Sequence, residues 1–76
     1  MTTGVVEGVI TLSVNGRQRV ISPGTTLAAL LRELDLDPRM IVVEHNRTIL
    51  RDREHFDRRV LADGDTLELV HFVGGG

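Results

Sequence analysis

Apolar and polar residues alternate strictly over ITLSV, with Ile10, Leu12 and Val14 on one side and Thr11 and Ser13 on the other. A period of two predicts a half-buried strand. Asn15-Gly16 follows at once, and because both residues tolerate positive φ the pair predicts a type I′ hairpin turn into a second strand, RQRVI. Pro23-Gly24 stops that strand. In TTLAALLREL the spacing changes, and Leu27, Leu30, Leu31 and Leu34 fall on one face of a helix that Thr25 or Thr26 caps. The helix is expected to end over Asp35 to Pro38, since a residue before proline is pushed out of the helical region. MIVVE is almost wholly apolar and predicts a strand buried on both faces in the middle of the sheet.

His45-Asn46 is read as a turn and TIL as a brief strand. RDREHFDRR is a polar segment with one helical turn, pinned by Phe56. Val60 and Leu61 are expected to reach the core, and Asp63-Gly64-Asp65 to turn tightly into TLELVHFV, the longest strand-like stretch. Two strands, a helix and three more extended segments predict an α+β fold of the β-grasp type. Its sheet is four- or five-stranded and mixed, with one main helix across a face and a parallel crossover return. The expected organisation is a short N-terminal extension over 1–8, one domain over 9–73 and a flexible glycine tail over 74–76.

Along the last strand, Leu67 and Leu69 share a face with His71 and Val73, whereas Glu68, Val70 and Phe72 share the other. With the leucines in the core, Val70 and Phe72 point outward. Phe72 is one of only two aromatic residues, so at the root of the tail it makes an exposed apolar spot suited to partner docking. Val73 and Gly74 continue that surface toward the terminus.

Composition excludes several functions. At 76 residues the chain has room for one small core and little room for an enclosed active site. Without cysteine there is no disulfide, thiol nucleophile or thiolate metal site, which fits a cytoplasmic setting. No apolar run approaches the roughly 20 residues of a membrane span, and MTTGVVEGV lacks the basic start and apolar stretch of a secretory signal. A net charge of −2 argues against nucleic acid; Arg51, Arg53, Arg58 and Arg59 are interleaved with Asp52, Glu54 and Asp57 and leave little single-sign field. His45, His55 and His71 share no ligand spacing and are read as surface or turn residues. Asp63-Gly64-Asp65 lacks the other acidic positions of a calcium loop, and Ser13 and Ser22 have no partners that would form a hydrolytic triad.

What remains is HFVGGG. A glycine run loses more backbone entropy on ordering than any other sequence, so the tail is expected to be mobile. Free of side chains, it can thread a slot too narrow for a Cβ and present the Gly76 α-carboxylate, whose ordinary pKa of about 3.5 keeps it ionised. A carboxylate is a poor electrophile. Attack on the α-phosphate of ATP turns it into an acyl adenylate, with AMP as leaving group for a sulfur, nitrogen or oxygen nucleophile.

VNGRQRVISPGTTLAALLREL, IVVEHN, the DGD turn and the ending LELVHFVGGG, in that order and spacing, resemble the ThiS family of sulfur carriers in thiamine biosynthesis from Ile10 to Gly76. The resemblance implies a ubiquitin-like β-grasp carrier that is not itself an enzyme and binds no cofactor. It implies that a ThiF-like, E1-like adenylyltransferase activates Gly76 with ATP, Gly75 being the other half of the motif. Sulfur drawn from cysteine through a desulfurase system then makes a thiocarboxylate, which a ThiG-like thiazole synthase consumes. The extension before Ile10 and the third glycine, Gly74, depart from the usual pattern. Two alternatives share the tail: the small subunit of molybdopterin synthase, and a conjugating modifier. All nine basic residues are arginine, so the chain has no lysine on which to build chains of itself.

Overall fold

The computed structural model describes residues 8–72. Val73 and the expected tail over 74–76, like most of the 1–8 extension, fall outside the described residues. The remainder is a five-stranded mixed sheet in the order β2-β1-β5-β3-β4. Strands β1 (Ile10–Val14) and β2 (Arg17–Ile21) form the first hairpin, antiparallel with Ile10 opposite Ile21. Its turn has Asn15 and Gly16 at φ 52° and 82°, the two left-handed residues that type I′ requires.

Helix α1 (Leu27–Glu33) is capped by Thr26, whose hydroxyl accepts from the Ala29 N–H at 3.1 Å. Its apolar stripe puts Leu27, Leu30 and Leu31 fully into the core. The helix ends before the proline acts. Asp35 adopts a left-handed φ of 60°; its N–H donates to the Arg32 carbonyl, and the Leu36 N–H donates to the Leu31 carbonyl. This is a Schellman closure with aspartate where glycine is usual. Pro38 instead opens a short 3₁₀ turn, Pro38–Met40.

β3 (Ile41–His45) and β4 (Thr48–Leu50) form a second antiparallel hairpin, a 3₁₀ turn over Arg53–Arg58 buries Phe56, and β5 (Thr66–His71) returns through the sheet. β5 pairs parallel with β1 and antiparallel with β3. The core lies between the sheet and α1, from Leu12 through Phe56 and Leu61 to Leu69.

Four expectations need correction. The central strand is β5, because the last strand inserts between β1 and β3; β3 lies one place toward the edge. β3 is buried on one face only: Ile41, Val43 and His45 face the core, whereas Val42 and Glu44 are half-buried on the opposite side. Val60 is 57% exposed while Leu61 is buried, since consecutive residues of an extended chain point in opposite directions. His45 is neither a surface nor a turn residue, being 9% exposed at the end of β3. The turn there is Asn46-Arg47, both left-handed at φ 51° and 72°.

Candidate functional site

The end of β5 forms the candidate site. Leu67 and Leu69 are buried, and the alternation turns Val70 and Phe72 outward with 58% and 42% exposure. Register supplies their neighbours. Val42 stands directly opposite Val70, and the Phe72 N–H donates to the Met40 carbonyl at 3.2 Å, bringing the exposed Met40 alongside. Further along the same face Glu44 is opposite Glu68 on one side and Ile49 on the other. The result is an open sheet face with an apolar end at the base of the C-terminal segment. His71, placed on the core side by parity, is exposed beyond the edge of the core. Val73, Gly74, Gly75 and Gly76 lie outside the described residues.

The segment beside Phe72 is held by polar contacts. Asp37 accepts from the Arg39 backbone N–H at 2.9 Å and pairs with its guanidinium at 2.8 Å. The Arg39 side-chain hydrogen bonds, then its backbone one, hold the Asp37 pKa down to about 2. Arg53 reaches back from the second 3₁₀ turn to donate to the carbonyls of Pro38, at 2.8 Å, and Ile41, at 3.2 Å. These contacts fix the entry to β3 and with it Met40.

β5 itself is gripped by the first hairpin. β1 pairs with it at only two positions, Ser13 opposite Thr66 and Val14 opposite Leu67. Asn15 extends the ladder with its side chain: Oδ1 accepts from the Leu69 N–H at 2.6 Å, and Nδ2 donates to the Leu69 carbonyl at 3.1 Å. The residue that makes the turn therefore also satisfies the strand one step before Val70. Sequence reasoning saw only the turn, because the two residues are 54 positions apart.

A buried polar cluster sits at the opposite end of β5. Asp65, 9% exposed, meets His45 Nε2 at 2.8 Å, accepts from Asn46 Nδ2 at 3.0 Å and accepts from the Ala62 N–H at 2.8 Å. Arg59 Nη1 lies 3.2 Å from His45 Nδ1. A guanidinium only donates, so Nδ1 accepts and the ring proton sits on Nε2, directed at Asp65. Burial works to raise the Asp65 pKa, but hydrogen bonds from Asn46, Ala62 and His45 outweigh it and hold the carboxyl below its usual range. Histidine beside aspartate is the base half of a hydrolytic triad. Here both ring nitrogens are occupied, so no lone pair remains to activate a nucleophile, and the cluster acts as a clamp on the two turns. Among the described residues no group of three or more His, Asp or Glu side chains converges as a metal site. No helix among them is long and apolar enough to cross a membrane.

The model of the ThiS family matches residues 12–76. The chain is 36% identical to the sulfur carrier protein ThiS of Bacillus subtilis over 66 residues, which cover 86% of this chain and 98% of that one. The chain belongs to the ThiS family. The crystal structure of ThiS from Geobacter metallireducens superposes with a TM-score of 0.74 at 31% identity, covering 88% of this chain and all of that one. The fold is accordingly the ubiquitin-like β-grasp of ThiS proteins. A thiazole synthase of Paramagnetospirillum magneticum is 42% identical over 65 residues, 86% of this chain but 20% of that protein. The ThiS-family chain thus spans about a fifth of the length of that relative.

Proposed function

We propose that this chain carries sulfur as a thiocarboxylate on Gly76 and delivers it to a thiazole synthase. The observation that carries the reading is the exposed pair Val70 and Phe72, at the end of β5 and immediately before VGGG, in a ThiS-family chain. The four residues after Phe72 span at most about 14 Å when extended, so a partner seated on this face has the carboxylate within reach of its own active site. An E1-like adenylyltransferase supplies ATP and the catalytic groups. A Gly76 carboxylate oxygen attacks the α-phosphate, the bond to pyrophosphate breaks, and the acyl adenylate forms. A persulfide of a desulfurase system attacks the acyl carbon through its outer sulfur and AMP leaves, giving an acyl disulfide; a thiol of that system then cleaves the S–S bond, ending as a disulfide and leaving the thiocarboxylate on Gly76. Gly75 and Gly74 admit the tail to a narrow slot, while Val70, Phe72 and Val73 dock.

A thiazole synthase as acceptor is supported by the relative of that name, which contains a segment 42% identical to this chain. The experiment charges the chain with the adenylyltransferase, ATP and a sulfur donor, then offers it separately to thiazole synthase and to the large subunit of molybdopterin synthase. Thiazole formation with the first alone is expected. Conversion of the molybdopterin precursor alone would reassign the carrier to molybdenum-cofactor synthesis, and activity with neither would overturn the reading.

Phe72→Ala separates docking from folding. Its stability loss is expected to stay well below the ~3–5 kcal/mol of emptying a core aromatic site, while partner binding weakens by about 2 kcal/mol or more. Thermal melting and titration against the adenylyltransferase measure the two effects. A severe melting defect would make Phe72 a core residue.

A further inference from the structure

β5 is held differently at its two ends. At its start the Thr66 N–H donates to Asn46 Oδ1 at 2.9 Å, the Asn46 N–H donates to the Thr66 carbonyl at 2.8 Å, and the buried pair of Asp65 and His45 stands beside them. At its far end the support from β1 gives out early. The backbone ladder between the two strands closes with the Asn15 N–H donating to the Leu67 carbonyl at 2.8 Å, and there the chain turns away through left-handed Asn15 and Gly16. Leu69 is the next residue of β5 whose backbone faces that side, and its N–H and carbonyl both meet the Asn15 side chain, at 2.6 and 3.1 Å. A primary amide carries the same donor and acceptor as a peptide unit, so this side chain fills the ladder position that β1 vacates. Among the described residues, no other hydrogen bond from the β1 side reaches residues 69–72; what remains comes from the β3 side, as far as the Phe72 N–H on the Met40 carbonyl.

We infer that Asn15 is a positioning residue for sulfur loading: its amide fixes the end of β5 in the sheet, and so presents Val70 and Phe72 to the adenylyltransferase in a preset geometry at the root of the segment that carries Gly76. The inference rests on the carrier role proposed above. Val70 and Phe72 share the outer face only while residues 69–72 are extended, because the alternation of the strand is what turns them there. If the strand opens from Leu69 onward, both docking residues lose their place and the partner must re-form the strand as it binds. Apparent affinity then falls by the fraction of chains in which the strand is formed. Once bound, the strand is back in its register and the chemical step runs at the native rate. The loss therefore falls on KM and not on kcat.

Asn15→Gly isolates the amide, because glycine adopts the left-handed φ of this turn without strain. It is expected to melt about 4–8 °C lower than the native chain. Its Leu69 amide should exchange with deuterium at least about tenfold faster relative to the Ser13 amide, whose 2.9 Å bond to the Asp65 carbonyl belongs to the same strand pair. In steady-state charging with the adenylyltransferase, ATP and a sulfur donor, its KM should rise about three- to tenfold while kcat stays within about twofold. Asn15→Asp keeps the acceptor for the Leu69 N–H but lacks the donor, and should fall between. Asp63→Ala removes one exposed hydrogen bond, to the Thr11 N–H at the start of β1, so it controls for stability alone and should charge with the native KM. Leu69 exchange no faster in Asn15→Gly than in Asp63→Ala, equal rises in KM for the two, or a loss carried by kcat at unchanged KM would overturn the inference and leave the carrier reading standing. Failure of the native chain to be charged by an adenylyltransferase that charges another carrier would overturn both.

Discussion

Replacing Asp65 with alanine is expected to cost the fold about 2–4 kcal/mol, the range for breaking a buried, hydrogen-bonded charged group and leaving its partners unsatisfied. Three donors lose their acceptor at once: His45 Nε2, Asn46 Nδ2 and the Ala62 N–H. Domains of this size have only about 4–11 kcal/mol of stability, so the melting temperature should fall by at least about 10 °C. Asp63, two residues earlier in the same turn, provides the control. It is exposed and accepts one hydrogen bond, from the Thr11 N–H at 2.7 Å, so Asp63→Ala should cost about 1 kcal/mol. Equal losses in the two variants would show that the turn matters and the buried cluster does not. The cluster also sets a pH response. Because the folded carboxyl of Asp65 is held below its unfolded value of about 3.9, its stabilisation is fully present above about pH 4 and is lost as pH falls through the folded value. Asp65→Asn should therefore show a shallower acid-side decline in melting temperature than the native chain.

Deleting Gly76 is expected to abolish charging by the adenylyltransferase while leaving thermal unfolding unchanged. Among the described residues the buried core runs from Leu12 to Leu69, and the last three residues of the sequence are glycines, which have no side chain to bury. The proposed chemistry, by contrast, depends on where the terminal carboxylate stands. Without Gly76 the carboxylate retreats by one residue, about 3.5 Å, a displacement that in-line attack on a fixed α-phosphate does not tolerate. An added residue after Gly76 should fail in the same way, because it replaces the reacting carboxylate with an amide. Melting curves and adenylation-dependent pyrophosphate release measure both sides of this prediction. Retained charging in the deletion would remove Gly76 from the mechanism.

The local devices of this fold were legible in its residues, and its long-range ones were not. Asn15-Gly16, the leucine stripe of α1 and the alternation along β5 are contained within a few residues, so propensity and periodicity reveal them. The same parity argument placed Val70 and Phe72 outside the core. The central position of β5 depends on which strands pair, and a run such as MIVVE looks the same one place from the centre. The Asn46-Arg47 turn carries no glycine signal; its left-handed arginine is tolerated because Asn46 binds both Asp65 and the Thr66 backbone. His45 and Asp65 are 20 residues apart, and only the fold makes the first a buried partner of the second. The composition of the candidate site divides the same way: Phe72 could be read from the chain, while Met40, Val42 and the facing pair Glu44 and Glu68 required the register.

Fragment mass spectrometry of the intact chain tests the central claim most directly, after incubation with the adenylyltransferase, ATP and a sulfur donor. The account predicts that one oxygen is replaced by sulfur, that the replacement maps to the C-terminal fragment carrying Gly76, and that it disappears after incubation with thiazole synthase and its other substrates. An unchanged C-terminal mass with all components active on a known carrier, or sulfur found anywhere other than Gly76, would contradict it.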